Sequence, residues 1–284
     1  MDLTRRFVFR GNASAIAGQI YRPKTIIVDV NGGASSLGVS GGRSQSKVSA
    51  ASFGDIITFG SALTLAEGLF DDEKHAAAVT DHKSRQSQLS STTTVTAETR
   101  EISVGLKPVV TIKRVRGTLV SRSSVAGSGE PSIAPARDTT IQGVMVAGNA
   151  LTVDLNIGLF QKYDTRSKVM AAADDPKSFR SYGDQFVIGA TIEGVAPERP
   201  TLVSRDGVIY ATIVKELKWE GKPPSNARID GHSVIVKDFG TVYFGELLID
   251  NEERRLTMAR FELGSPVGGY CDFVDIGSNG GGFP

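Results

Sequence analysis

Short runs rich in Val, Ile and Thr recur along this chain of 284 residues, each bounded by Gly, Pro, Asn, Asp or Ser. Such runs are typical of β-strands, because branched side chains pack well on a pleated surface and the bounding residues favour turns. Their spacing predicts a mainly β protein with sandwich- or barrel-like antiparallel sheets. The predicted strands are residues 6–10, 25–30, 55–59, 92–104, 109–115, 140–146, 151–157, 185–192, 208–217, 233–236, 241–249 and 255–263.

One segment departs from this pattern. In "SALTLAEGLFDDEKHAAAVTDHK" the apolar residues, among them Leu63 and Leu69, recur at helical spacing, while charged residues such as Glu67 fall on the opposite side. The spacing predicts one short amphipathic helix near residues 63–78, weakened by Gly68.

Two segments rich in Gly and Ser, residues 31–47 and 121–138, are predicted to be loops. The second segment is also a possible linker. It would separate an N-terminal β region with one helix, residues 1–120, from a C-terminal β region, residues 139–284. A single domain spanning residues 1–284 is the alternative, because a chain of this length can form one large β unit.

Charge and hydropathy argue against nucleic acid and a membrane as partners. The chain has 32 Lys and Arg residues against 31 Asp and Glu residues, so no overall field attracts nucleic acid, and none is expected. No window approaches about 20 consecutive apolar residues, so a membrane partner is not expected either. A net charge of +1 leaves little repulsion between copies, and we expect a homo-oligomer or a protein partner.

The single cysteine, Cys271, cannot form an intramolecular disulfide, which favours a cytoplasmic location. Alternation in "GGYCDFVDIG" predicts that Cys271 is a buried strand residue, although pairing with His232 as a nucleophile and base stays open.

Metal and cofactor sites leave little trace. His75 and His82 lie near Asp71, and these three side chains are the metal candidates, but the tight ligand spacing of metal motifs is absent. The Gly-rich segment 31–47 lacks the Gly-Lys-Ser/Thr of a phosphate-binding loop. We therefore predict no metal and no cofactor.

A carboxylate, Glu246, lies within the apolar strand "DFGTVYFGELLID". Strict alternation would place it on the same face as Val242 and Phe244. Such a carboxylate is either a catalytic acid with a raised pKa or half of a structural pair. Glu246 and Asp238 are the catalytic candidates, and paired carboxylates would suit a hydrolase acting on a sugar or an ester.

The strand is followed by "NEERR" and then "LTMARFEL", which predicts an antiparallel hairpin. Pairing Asp250 with Leu256 around a five-residue loop places Glu246 opposite Arg260. In that register Glu246 is structural, because it has a guanidinium as its partner.

The Ser/Thr-rich segment 84–105 contains a long strand in which neither face is clearly apolar. A soluble pore-forming protein that inserts this segment is one hypothesis, but a membrane strand needs an apolar outer band over about 9 to 11 residues. The residues favour a non-enzymatic β-rich structural or binding protein that acts through self-assembly or partner binding. The hydrolase and the pore-forming protein are the alternatives.

Overall fold

The computed structural model describes residues 7–30, 32–71, 90–124, 129–172, 179–182, 185–188, 209–250 and 253–282. Strands account for 70% of it, so the predicted mainly β class is confirmed. In chain order the elements are β1 (Phe7–Arg22), β2 (Ile26–Asp29), β3 (Ala34–Ser36), β4 (Gly42–Phe53), β5 (Ile57–Phe70), β6 (Ser90–Val104), β7 (Val110–Ser124), β8 (Ser132–Pro135), β9 (Thr140–Val146), β10 (Asn149–Leu155), α1 (Ile157–Lys162), α2 (Arg166–Ala172), β11 (Phe179–Tyr182), β12 (Gln185–Ile188), β13 (Ile209–Thr212), β14 (Val214–Trp219), β15 (Ala227–Asp230), β16 (Ser233–Val236), β17 (Gly240–Ile249), β18 (Glu253–Leu263) and β19 (Gly268–Gly282).

Nine described strands form the first sheet in the order β15-β16-β17-β18-β19-β1-β2, with β13 paired to β17 and β3 paired to β1. The N-terminal strand β1 pairs with the C-terminal strand β19 from Phe7 opposite Gly282 to Arg22 opposite Gly268. This sheet therefore joins strands from the two ends of the sequence.

Eight described strands form the second sheet in the order β14-β10-β9-β7-β6-β5-β4, with β8 paired to β7. Strands β11 and β12 form a separate two-stranded hairpin. Most of the second sheet comes from consecutive strands, β4 to β10. Both large sheets contain strands from residues 1–120 and from residues 139–284.

The two sheets pack face to face around one core. A Cβ atom added to Gly11 of β1 would lie 2.8 Å from Val95 Cγ2 of β6, and one added to Gly117 of β7 would lie 2.9 Å from Val274 Cγ1 of β19. The rings of Phe261 and Phe273 meet edge to face with centroids 5.6 Å apart. Burial of this apolar surface is the main stabilising contribution in such a sandwich.

Along each long strand, side chains alternate between the core and solvent, and at one position this alternation is reversed. In β17 the core-facing residues change from Val242 and Phe244 to Leu247 and Ile249. Gly245, between these two sets, has a φ of +61°. The left-handed conformation at one residue rotates the following side chains to the other face.

We call the row of residues at these positions the reversal line. In both sheets the residues of the reversal line are not paired across strands, but the pairs before and after them keep the same register. The register is kept because each neighbouring strand reverses at the position opposite. The reversal line contains Ala15, Gly245, Met258 and Val274 in the first sheet, and Ala50, Gly60, Glu101, Lys113 and Gly143 in the second sheet.

Threonine side chains bond backbone carbonyls at the reversal line. The Thr99 hydroxyl donates to the Ala15 carbonyl at 2.9 Å, and the Thr212 hydroxyl donates to the Gly245 carbonyl at 2.9 Å. Buried carbonyls need partners, so these two threonines stabilise the interrupted ladder.

The predicted helix near residues 63–78 is wrong where the structure describes it. Residues 63–70 belong to β5, in which Ala62, Thr64 and Ala66 are buried with a period of two. The small inner residues let the facing sheet approach closely, as Phe9 does over Gly68. Residues 72–78 lie outside the described residues.

The two predicted loops are wrong in part. Residues 31–47 contain β3 and the first half of β4, and residues 121–138 contain the end of β7 and all of β8. Strand β4 is the edge of the second sheet and is largely exposed. Its serines remain in contact with water there, so a polar composition does not exclude a strand.

The predicted strand 208–217 is wrong in part, because the structure has two strands there, in different sheets. Strand β13 pairs with β17 and β14 pairs with β10, so the chain changes sheets at Ile213. The helices α1 and α2 follow β10 and were not predicted, and their buried residues Phe160 and Val169 belong to the core.

Candidate functional site

The reversal line places Glu246 on the outer face of the first sheet. Gly245 separates Glu246 from Val242 and Phe244, which point into the core. Glu246 instead lies on the same outer face as Tyr243, and both are half-buried. The apolar run therefore contains a carboxylate because the strand changes face at the residue before it.

Glu246 forms a two-point ion pair with Arg260. Arg260 Nε donates to Glu246 Oε2 at 2.6 Å, and Arg260 Nη2 donates to Glu246 Oε1 at 2.8 Å. The predicted contact is present, but the predicted register is wrong. Glu246 lies opposite Thr257, and Arg260 lies opposite Tyr243, so the pair crosses the reversal line diagonally.

The register differs because the hairpin loop is shorter than predicted. The Asp250 N–H donates to the Glu253 carbonyl at 2.8 Å, and Leu256 pairs with Leu247 rather than with Asp250. A shorter connection between the paired residues shifts the register of both strands.

His232 and Tyr243 complete this cluster. His232 Nε2 lies 3.6 Å from Glu246 Oε1, which is longer than a hydrogen bond, and Arg260 Cζ lies 3.9 Å from the centroid of the Tyr243 ring. Burial alone would raise the pKa of Glu246, but Arg260, with a contribution from His232, lowers it to about 2. Glu246 is therefore a carboxylate near neutral pH and not a proton donor.

Asp272 lies next to this cluster, opposite Arg260 on β19. Its Oδ1 is buried and has no hydrogen-bond partner in the described part of the chain. Burial, together with the charge of Asp275, raises the pKa of Asp272 to about 6. Asp272 was not among the candidates predicted from the sequence, although "CDFVD" places it three residues from Asp275 with Val274 of the reversal line between them.

Asp275, by contrast, accepts hydrogen bonds at both carboxylate oxygens. It accepts from Arg255 Nε at 2.8 Å and Nη2 at 2.5 Å, and from the Thr257 hydroxyl at 2.9 Å. The outer face of the first sheet, which we call the acidic face, has more acidic than basic side chains in its paired rows. These are Asp29, Asp230, Glu246, Glu253, Glu262, Asp272 and Asp275 against Arg10, Arg22, Arg228, Arg255 and Arg260.

A second cluster lies on the outer face of the second sheet. Glu98, which is 5% exposed, accepts from Arg114 Nη2 at 2.8 Å, from Arg116 Nη1 at 3.0 Å and from Arg100. Burial would raise the pKa of Glu98, but the three hydrogen bonds lower it to about 2. One carboxylate therefore holds three guanidinium groups together.

We call this outer face the basic face, because its paired rows have the opposite charge balance. The paired residues are Arg43, Lys47, Arg100, Arg114, Arg116, Arg122 and Lys218 against Glu67, Glu98, Asp154 and Glu216. Lys113 and Glu101 lie on the reversal line of this face, and Asp71 and Asp138 lie at its margin. This face is not predictable from the sequence alone, because its residues come together only when the strand register and the reversal are known.

The structure does not bring the two catalytic candidates together. Asp238 lies in the exposed turn between β16 and β17 with a φ of +58°. Glu246 lies six positions along the strand from Gly240, which is roughly 20 Å at the usual rise of a strand. The carboxylate near Glu246 is Asp272.

The metal candidates are only partly described. Asp71 accepts from the hydroxyls of Ser90 at 2.6 Å and Thr92 at 2.5 Å, whereas His75 and His82 lie outside the described residues. Among the residues that the structure does describe, no group of three or more His, Cys, Asp or Glu side chains could hold a metal ion.

Cys271 is buried, as predicted, and burial raises the pKa of its thiol well above the ordinary value. It faces the core, whereas His232 lies beside Glu246 on the other side of the sheet. The arrangement offers no activated thiol.

The described part of the Ser/Thr-rich segment is β6, which pairs along its length with β5 and β7. Thr93, Val95, Ala97 and Thr99 face the core. Residues 84–89 lie outside the described residues. Within the described ranges, neither helix is long and apolar enough to cross a membrane.

Fold and site together define a mainly β, two-sheet sandwich-like protein, in which one outer face has more acidic and the other more basic side chains in its paired rows. The sequence model of a protein family described as a domain of unknown function, DUF8256, matches residues 7–250, so the chain belongs to that family. No curated protein and no solved structure matches the chain.

Proposed function

We propose that this protein is a non-enzymatic structural module that assembles with copies of itself, with the basic face of one copy on the acidic face of the next. The observation that carries the proposal is the opposite charge balance of the two outer faces in a chain whose net charge is only +1. Complementary faces orient two copies, and a small net charge leaves little repulsion between them.

The position of the two faces determines the type of assembly. They lie on opposite sides of the sandwich, so one copy uses both at once and each contact leaves a further face available. A head-to-tail contact of this kind extends into a stack rather than closing into a dimer.

The size of a sheet face is sufficient for a stable contact. Seven strands at a spacing of about 4.8 Å give a width of roughly 30 Å, and ten residues give a length of roughly 30 Å. The resulting area of roughly 900 Å² per copy is comparable to that of specific protein interfaces.

Exposed side chains on each face can make the contact. Lys47 and Lys113 are exposed on the basic face, and Asp29 and Glu262 are exposed on the acidic face. Tyr270 of the acidic face is 42% exposed, and aromatic side chains are favoured at the centre of interfaces.

Charge reversal tests the proposal by complementation. The first variant, Lys47→Glu with Lys113→Glu, makes both faces acidic; the second, Asp29→Lys with Glu262→Lys, makes both faces basic. We expect each variant to be monomeric and a 1:1 mixture to assemble in alternation. Light scattering after size-exclusion chromatography at low salt, over a range of concentrations, gives the mass.

The matched control is Lys222→Glu, which reverses an exposed lysine between β14 and β15, away from both faces. This variant should assemble like the unmodified protein. A monomeric unmodified protein at every concentration would reject the proposal, as would an assembly that neither charge-reversal variant weakens.

A hydrolase is the second candidate, and one observation favours it. Asp272 and Glu246 lie on either side of Arg260, with pKa values of about 6 and about 2. Such a difference between two carboxylates is typical of acid and base pairs. Turnover of ester and glycoside substrates that is lost in Asp272→Asn would support this function, and no turnover by the unmodified protein would argue against it.

A further inference from the structure

A buried arginine lies between the two sheets. Arg254 of β18 faces the core and is 2% exposed. Its Nη2 donates to the Tyr163 carbonyl at 2.9 Å, but its Nη1 is buried without a hydrogen-bond partner in the described part of the chain. A guanidinium that is removed from water and not fully bonded is strongly destabilising.

Two buried hydroxyls share this layer of the interior. Ser278 lies directly opposite Arg254 in the register of β18 and β19, and the hydroxyls of Ser278 and Ser121 both have no partner among the described residues. Gly11, which pairs with Ser278, packs against Thr93, which pairs with Ser121. Contact between Gly11 and Thr93 therefore places both serines at the same depth.

No nearby carboxylate of the described chain neutralises Arg254 directly. Burial lowers the pKa of Arg254 to about 10 despite the attraction of Asp164 and Glu130. Asp164 already accepts from Lys168 Nζ at 2.6 Å, and Glu130 accepts from the Ser167 N–H at 3.0 Å. Among the described residues of this layer, Arg254, Ser121 and Ser278 thus offer N–H and O–H donors, and neither Asp164 nor Glu130 accepts a hydrogen bond from Arg254.

We propose that Arg254, Ser121 and Ser278 form an internal binding site for a small carboxylate anion. One negative charge neutralises one guanidinium, and the two oxygens of a carboxylate accept from Nη1 and from both hydroxyls. A dianion such as phosphate would instead leave an uncompensated charge in the interior.

Thermal unfolding in sodium formate and in sodium chloride, at equal ionic strength and pH, tests this site. We expect formate to raise Tm in a saturable way beyond chloride, and titration calorimetry to give one formate per chain. Arg254→Met should lose the formate-specific shift. Arg255→Met is the matched control, because Arg255 lies on the outer face with Asp275, and it should keep the shift.

Because Arg254→Met can fail to fold, the double variant Ser121→Ala with Ser278→Ala provides a second test. It keeps the guanidinium and should bind formate about tenfold more weakly, since two hydrogen bonds are lost. Equal Tm values in formate and chloride would overturn the proposal. A formate-specific shift that survives in both the arginine and the serine variants would overturn it as well.

Discussion

Carboxylates on the acidic face differ in pKa because their nearest neighbours differ. Glu246 has the guanidinium of Arg260 at hydrogen-bond distance, and its pKa falls to about 2. Asp272, on β19 opposite Arg260, is half-buried beside Asp275, and its pKa rises to about 6. At neutral pH the charge of Glu246 therefore stabilises the folded state, whereas the charge of Asp272 destabilises it.

We predict that Glu246 and Arg260 are energetically coupled. Glu246→Gln and Arg260→Met should each lower the free energy of unfolding by about 1 to 3 kcal/mol, because each leaves a half-buried charge without its partner. The double variant should lose less free energy of unfolding than the sum of the two single losses. Denaturant unfolding of the four proteins measures the coupling, and additive losses would contradict it.

Asp272→Asn should stabilise the protein above pH 6. The pKa of Asp272 is higher in the folded state than in the unfolded state, so the folded protein binds more protons between about pH 4 and 6. The free energy of unfolding of the unmodified protein therefore falls as pH rises through this window. The gain in the variant should be about 1 to 3 kcal/mol at pH 7 and should disappear below about pH 4. Denaturant unfolding across this range checks it; a gain independent of pH would contradict the assignment.

Among the elements, the reversal line marks the limit of what the sequence predicts. The runs that form β6, β9, β16 and β17 are recognisable from branched residues and turn signals. The reversal is not, because Glu101 and Val274 adopt φ values of +52° and +57° that their residue types do not suggest. Strict alternation therefore assigned Glu246 to the wrong face.

Gly245→Ala should disrupt the reversal line. Gly245 has a φ of +61°, and an added Cβ would lie 2.7 Å from Ile213 Cγ1. Both effects destabilise, and we expect a loss of about 1 to 3 kcal/mol in denaturant unfolding. Gly158→Ala is the control, since its site in α1 has open space, and should be neutral or slightly stabilising. Equal effects of the two substitutions would contradict a special role for Gly245.

For the whole molecule, antiparallel sheets and a sandwich-like fold follow from strand spacing, but the charge of each face does not. Lys47 and Arg116 are far apart in sequence and share a row only through Leu63 and Glu98. A nearly neutral composition concealed two faces of opposite charge, since composition contains no information on register.

Assembly through these faces should be sensitive to salt. Raising sodium chloride from about 0.01 to 0.5 M shortens the Debye length from about 30 Å to a few ångströms, so the association constant should fall by at least about tenfold. Sedimentation velocity at fixed protein concentration measures this. Association that strengthens with salt would indicate an apolar interface instead.

The pairing of β1 with β19 has a consequence for synthesis on the ribosome. Strand β1 emerges first, yet its principal neighbour β19 is translated only after every other strand of both sheets. Strands β4 to β10, which are adjacent in sequence, can pair as they emerge. We therefore expect most of the second sheet to form early in translation with its apolar side unprotected, and the first sheet to close over it late.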